Sequence, residues 1–262
     1  MRPIMRDDNP QRFLEVALEA VKKAEPIFLK SFGCVSGDKK EHSGVESLVT
    51  EADKGIETLL AHELSLQFPD HAIIGEEGTA QKGKGYSWYV DPIDGTTNYI
   101  HGIPHCSISV ALWDALGPLV AIVHDPIHQA TYTALRGGGS FKNGQAIRVS
   151  ETALLKNAVG GVGWKPRDST SRGDLIDRIE KSAYRFRVFS GTALDLCFLA
   201  SGVFDFYVTS STYLWDVAAG MLIVTEAGGK ISEKGGADFS AQSKDILATN
   251  TTLHAELLLA VK

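Results

Sequence analysis

The residues best suited to chemistry lie in one run, Trp88-Tyr89-Val90-Asp91-Pro92-Ile93-Asp94-Gly95-Thr96-Thr97-Asn98. Asp91 and Asp94 follow an apolar stretch, Tyr86 to Val90, that reads as a buried strand. Asp91 precedes a proline, which favours an extended backbone and lets a turn begin at Pro92. Gly95 allows the backbone to approach a ligand closely, and Thr96 and Thr97 add hydroxyls and N–H groups at the start of a helical turn. Such a segment can gather divalent cations on two carboxylates and offer N–H donors to an anion beside them. Hard oxygen donors suit magnesium better than a thiophilic metal. The same residues also make an ordinary strand end with a capped turn, and taken alone they fit a metal site, a phosphate site or both. They do not fit an EF-hand loop, which needs a glycine sixth and a glutamate twelfth. They are no Walker loop either, since no Gly-Lys-Ser/Thr follows.

Further acids stand at element ends. Ala72-Ile73-Ile74 reads as a short strand leading into Gly75-Glu76-Glu77-Gly78, where two adjacent acids form either a solvated turn or extra cation ligands. A flexible segment, Thr79 to Gly85, leads on to the central strand. Asp53 follows Thr50 by three positions at the start of a helix carrying Ile56, Leu59, Leu60 and Leu64, so a capping box explains it; activation of water beside the metal site is the functional alternative. Ser190-Gly191-Thr192-Ala193 opens an apolar helix to Ala200, where either side-chain capping or substrate binding through N–H groups is served. Asp216 stands at the mouth of a second apolar helix, Val217 to Glu226, as an N-cap or a further carboxylate ligand. His101 and His105 are four apart, but Pro104 argues against one helix face, so they read as loop or packing residues.

The elements that position these groups are ordinary. Asn9-Pro10 starts a packing helix with Leu14, Ala17, Val21, Ala24 and Phe28 on one face, ending near Gly33. Val35 to Gly44 is a polar loop or hairpin. Ser107–Trp113, Leu119–Val123 and Ala130–Leu135 read as successive antiparallel strands, and Asn143-Gly144 as a tight hairpin joining Ser140-Phe141 to Ala146–Val149. Val159–Val162, Arg185–Phe189, Asp205–Val208 and Ile246–Ala248 are further strands, and Leu253–Val261 a last helix. This mixed order points to layered sheets and helices in an α+β fold. With 262 residues the chain is near the upper limit of one core, so one domain or two intimate halves fit. The net charge of −6 argues against nucleic acid as a partner. Cys34, Cys106 and Cys197 are too few and too scattered for a disulfide framework or a zinc site, which favours a reducing compartment. The polar Met1–Pro10 has no apolar signal core, and Val217–Val224 is too short to cross a bilayer, so no membrane role and a cytoplasmic address are expected.

The Glu76-Glu77 pair, Asp91 to Thr97, Gly191-Thr192-Ala193, Trp215-Asp216 and Glu226-Ala227-Gly228-Gly229 stand in the order of the inositol monophosphatase family of magnesium-dependent phosphatases, which the whole chain resembles. The resemblance implies a layered α-β-α-β-α sandwich with mixed and antiparallel sheets, a single domain over 1–262, and a homodimer. The half to about residue 150 would carry most metal ligands, and the half from about 151 the substrate-side residues. It implies two or three magnesium ions: one on Glu76, Asp91 and the carbonyl of Ile93; one on Asp91, Asp94 and Asp216, with Asp91 bridging; and a weaker third near Glu76. Gly95 and Thr96 would take the phosphate through N–H groups. Asp53 and Thr96 would orient and deprotonate the attacking water, with Glu76 as a third catalytic residue. Gly191, Thr192, Ala193 and Asp216 would contact the polyol, with Glu76, Ile93 and Asp94 also at the substrate. Two metals can clamp the attacking and leaving oxygens of an in-line displacement. The motif supplies no serine, cysteine or histidine nucleophile, so water attacks directly. Lithium sensitivity is a further family trait.

Two positions depart from the pattern. Thr209, six residues before Trp215, stands where many relatives carry an inositol-contacting glutamate. His42, eleven residues before Asp53, stands where a loop lysine is expected, with Lys39 or Lys40 as substitutes. The leading expectation is hydrolysis of inositol-1-phosphate. Fructose-1,6-bisphosphate or a broader sugar phosphate is the alternative, 3′-phosphoadenosine phosphate a weaker one, and a non-catalytic partner-binding protein on the same fold the rival of another class.

Overall fold

Helix starts follow the local sequence in this computed structural model, which describes residues 9–33, 38–42, 45–163 and 171–262. The Asn9 side chain accepts from the Gln11 N–H and starts α1 (Pro10–Ser31), with proline where no N–H is needed. The polar segment after it is a hairpin, β1 (Asp38–His42) antiparallel to β2 (Val45–Val49). The side chains of Lys39, Lys40 and His42, and Cys34 entirely, lie outside the described set. Thr50 then caps α2 (Glu51–Gln67) in the expected box with Asp53.

The chain next builds β3 (Ala72–Gly75), β4 (Ala80–Gln81), β5 (Ser87–Asp94), the short α3 (Thr96–His101), β6 (Ser107–Asp114), β7 (Gly117–Asp125), β8 (Ala130–Leu135), β9 (Gly139–Lys142) and β10 (Gln145–Ala146). These strands form one eight-stranded sheet in the order β10-β9-β8-β7-β6-β5-β3-β4, antiparallel except where β3 runs parallel to β5. Three expectations change here. The segment from Thr79 to Gly85 contains β4, an edge strand too short to announce itself. Asn143 and Gly144, both at positive φ, do turn the hairpin, but its second strand is two residues long and the chain then leaves the sheet. And β5 does not stop at Val90; it runs on through Asp94.

The second half supplies β11 (Val159–Gly163), α4 (Ser171–Ser182), β12 (Arg185–Arg187), α5 (Thr192–Ala200), β13 (Phe206–Thr209), α6 (Leu214–Glu226), β14 (Lys230–Ser232), β15 (Ile246–Thr249) and α7 (His254–Val261). Its strands form a five-stranded mixed sheet, β12-β11-β13-β15-β14.

Strand alternation sorts the core into three clusters. On the outer face of the first sheet, Val110, Leu112 and Ile122 meet Phe13, Phe28, Ile56 and Leu60 of α1 and α2. On its inner face, Ala111, Ala121 and Val123 meet α5 and α6, which also cover Tyr207, Ile246 and Ala248 of the second sheet. That sheet's far face presents Phe206, Val208 and Leu247 to Leu175 and Ile179 of α4 and Leu257 of α7. The result is the α-β-α-β-α sandwich. Since α5 and α6 are covered on both sides, they read as apolar all round. Glu226 both closes α6 and holds the glycine turn before β9, where its carboxylate accepts from the N–H groups of Gly137 and Gly139. Among the described residues no helix is long and apolar enough to cross a membrane.

Candidate active site

Strict alternation would send Asp91 and Asp94 to opposite faces of β5. It does not, because β5 carries one extra residue there: Asp91 pairs with Ser109, but Asp94 pairs with Ser107, so three steps on β5 match two on β6. Pro92, which has no N–H for the ladder, sits inside this bulge. The bulge brings both carboxylates to one side. Asp91 Oδ1 accepts from the Ile93 N–H at 3.1 Å.

Other elements complete the cluster. Glu76 leads out of β3, and its N–H donates to the Val90 carbonyl at 3.1 Å, one residue before Asp91. Asp216 lies in the first turn of α6, not at the N-cap; Tyr213 caps, and Asp216 Oδ2 reaches back to the Tyr213 N–H at 3.1 Å. Oxygens of Glu76, Asp91 and Asp216 lie within 4.8 Å of one another. Burial first, then the charges of Glu76, Asp94 and Asp216, push the Asp91 carboxyl well above its ordinary range. Burial also raises Asp94, with Asp216 adding to it, while the N–H groups of Ala193 and Thr192 pull the other way. Crowded, all-oxygen donors, Asp91 and Asp216 buried and Glu76 half-buried, fit a hard divalent cation, which would offset their mutual repulsion.

Asp53 divides its two oxygens. Oδ2 caps α2, accepting from the Thr50 N–H at 2.7 Å and the Thr50 hydroxyl at 2.5 Å. Oδ1 faces Thr96, whose hydroxyl lies 3.5 Å away and 3.1 Å from the Ile93 carbonyl oxygen. The capping and site-facing roles therefore coexist. Gly95, at φ 86°, turns the chain into α3, and a Cβ there would stand 3.0 Å from the His105 carbonyl oxygen.

The start of α5 is arranged differently from expectation. Its N-cap, Gly191, has no side chain to cap it, and a distant carboxylate takes its first N–H groups: Thr192 N–H donates to Asp94 Oδ1 at 3.1 Å and Ala193 N–H to Asp94 Oδ2 at 2.8 Å. An acid at a helix N-terminus is favoured by the aligned peptide dipoles. Asp94 thus joins the two halves of the chain. Asn98 does the same, donating to the carbonyls of His105 and Phe189. Thr209 is buried, and its hydroxyl lies 3.2 Å from the Ser211 carbonyl oxygen.

Two buried acids at the site were not singled out by sequence. Glu57, one turn beyond Asp53, accepts from the N–H groups of Glu77 and Thr79. Asp195, in the first turn of α5, pairs with His105 Nε2 at 3.0 Å. The available signal was position: Glu57 lies in line with Leu60 and Leu64 on the apolar face of α2. His105 proves a packing residue, as its proline neighbour suggested, and His101 is exposed at the end of α3.

The profile of the inositol monophosphatase family matches residues 9–262. Among curated relatives, a Thermotoga maritima protein named fructose-1,6-bisphosphatase/inositol-1-monophosphatase is 36% identical, with 95% of each chain covered. Inositol monophosphatase 2 of Solanum lycopersicum is 39% identical over 93% of this chain and 95% of its own. A Pseudomonas aeruginosa relative, 34% identical with 96% of each chain covered, is named Nus factor SuhB. A solved Thermotoga maritima IMPase superposes with a TM-score of 0.88 at 35% identity, covering 95% of this chain and 96% of that one. With the profile spanning nearly the whole chain and the acidic cluster in place, this chain belongs to the inositol monophosphatase family and is a phosphoric monoester hydrolase.

Proposed function

We propose that the enzyme hydrolyses inositol-1-phosphate, with magnesium held by Glu76, Asp91, Asp94, Asp216 and the Ile93 carbonyl. The observation that carries this reading is the convergence of Glu76, Asp91 and Asp216 oxygens from three separate elements. Bound magnesium would supply charge stabilisation to the phosphoryl oxygens and a lower pKa to water. The residues of the chain do the rest. Gly95 and Thr96 present N–H groups to the phosphate. Thr96 orients a water through its hydroxyl, and Asp53 Oδ1 takes the proton. The Thr50 N–H and hydroxyl hold the other oxygen of Asp53, which fixes the direction in which the base points. Glu76 works beside them at the phosphate. Asp94, clamped by the start of α5, keeps Gly191, Thr192 and Ala193 against the site, where they and Asp216 form the wall for the polyol. Two or three ions fit this donor count.

Metal ligands fall mainly before residue 150 and the polyol wall after it, within one domain. The family resemblance supports a homodimer and lithium sensitivity. The free, buried Cys106 and Cys197 support a reducing, cytoplasmic setting.

The test is phosphate release, with and without magnesium, from inositol-1-phosphate, fructose-1,6-bisphosphate and 3′-phosphoadenosine 5′-phosphate. Preference for inositol-1-phosphate supports the reading. Equal or faster turnover of fructose-1,6-bisphosphate makes this a broad sugar phosphatase, an outcome favoured by the double name of the Thermotoga relative and by Thr209. No magnesium-dependent release from any of them favours the partner-binding reading, for which the relative named a Nus factor is the supporting observation.

A further inference from the structure

We propose that Glu57 is the positioning residue for Glu76, so that α2 sets both the base Asp53 and a metal ligand from one rigid element. The inference rests on the reading that Glu76 binds a divalent cation. Glu57 is 3% exposed, one helical turn beyond Asp53, and both its oxygens are used by the loop that carries Glu76. Oε2 accepts from the Glu77 N–H at 2.7 Å and Oε1 from the Thr79 N–H at 2.8 Å. The same loop is closed by the Gly75 N–H on the Thr79 carbonyl at 2.8 Å, and tied to β5 by the Glu76 N–H on Val90. Glu76 is therefore fixed from two sides, by the helix that bears Asp53 and by the strand that bears Asp91.

The fit between the loop and the carboxylate is close. A Cβ built on Gly75 would lie 2.3 Å from the Glu57 carboxyl carbon, so a side chain there would have to push the Glu57 carboxylate aside. A carboxylate is required as well as a size. Two N–H groups need two acceptors, and glutamine offers one, with its NH2 group turned on the second donor. Charge-assisted bonds of this kind are also the stronger class. Outer partners that orient metal ligands typically matter about 10–100-fold in metal affinity.

The experiment measures magnesium binding to the purified full chain by titration calorimetry with magnesium chloride alone, in Glu57→Gln, Gly75→Ala, the double variant and Glu76→Gln. Glu57→Gln is expected to weaken binding by about tenfold or more. Gly75→Ala, which keeps every charge but displaces the Glu57 carboxylate, is expected to weaken it comparably. The double variant should be little weaker than either single one, because both break the same contact. Circular dichroism checks that each variant is folded. Should Glu57→Gln fail to fold, Gly75→Ala decides alone, since the displaced group is the mobile end of a side chain. If the Glu57→Gln and Gly75→Ala variants bind magnesium within about twofold of the parent while Glu76→Gln binds weakly, the positioning role is overturned and the metal reading stands. If Glu76→Gln binds like the parent, the metal reading falls and this inference with it.

Discussion

Two buried polar clusters in this molecule are built on opposite terms. At the second sheet, Asp205 accepts from the Ser150 hydroxyl with one oxygen and from the Val159 N–H with the other. Asn250 donates to Ser150 Oγ and the Thr152 carbonyl, and accepts from the Leu253 N–H. The network closes on itself. At the active site the chain instead crowds Glu76, Asp91, Asp94 and Asp216, and burial and like charge raise Asp91 and Asp94 well above the ordinary carboxylate range. A closed network holds a fold together, whereas a crowded one carries a cost that only a ligand relieves. The comparison assigns stability to the first and function to the second.

The hardest way to break that assignment is Asp91→Asn. Magnesium-dependent hydrolysis should fall on the order of 10⁴-fold, the scale of several kcal/mol of lost charge stabilisation. The melting temperature without magnesium should not fall, because the amide removes a buried charge that its neighbours repel. A collapse of the fold would place Asp91 with Asp205 as a structural acid.

Asp53 sharpens the comparison because it belongs to both kinds. Asp53→Asn keeps an oxygen for the cap but loses the proton acceptor, so kcat should drop about 10²–10³-fold with little change in stability. Asp53→Ala should lose the same rate and about 1 kcal/mol more stability. Denaturant titration of both variants separates the two roles of one side chain. No effect on turnover at saturating substrate, but a larger loss of stability, is expected of Asp205→Ala. It leaves the half-buried Val159 N–H and the Ser150 O–H without their acceptor, which costs up to about 1–3 kcal/mol per group.

The sequence made the site more legible than the elements around it. Asp53, Glu76, Asp91, Asp94 and Asp216 stood out because each is an acid beside an apolar run, Glu76, Asp91 and Asp94 after a strand and Asp53 and Asp216 at the start of a helix. Each of the five layers had elements legible as amphipathic or apolar stretches. The polar α4 was not, since only Leu175 and Ile179 mark its buried side. Nor were β4 and β14, whose two and three residues are too few for a period to show. The bulge that turns Asp91 and Asp94 to one side lay hidden because register is a property of two strands. Asp94 was legible as a candidate ligand, but its grip on α5 joins residues nearly a hundred positions apart, and nothing local encodes that. Glu57 was hidden for the opposite reason: an acid on an apolar helix face looks like noise until its partners are seen.

The mildest test concerns the closed side alone. His254 lies between two hydroxyls, Thr249 Oγ1 at 3.0 Å from Nδ1 and Ser232 Oγ at 3.1 Å from Nε2, a setting that suits a neutral ring. Burial, with Lys230 adding to it, lowers its pKa from 6.5 to about 4. At neutral pH the ring is uncharged in both the folded and the unfolded chain, so it contributes no pH dependence there. As the pH falls through about 6.5 the unfolded chain takes up a proton that the folded chain refuses until about 4, and stability is lost across that window. The melting temperature should therefore decline by a few degrees between those limits, and His254→Gln should flatten that part of the profile by removing the ring. Because the parent and the variant share every carboxylate, the difference between their two curves isolates His254. A difference that does not change with pH would mean that the ring is protonated alike in both states, and that this network is less closed than its hydrogen bonds imply.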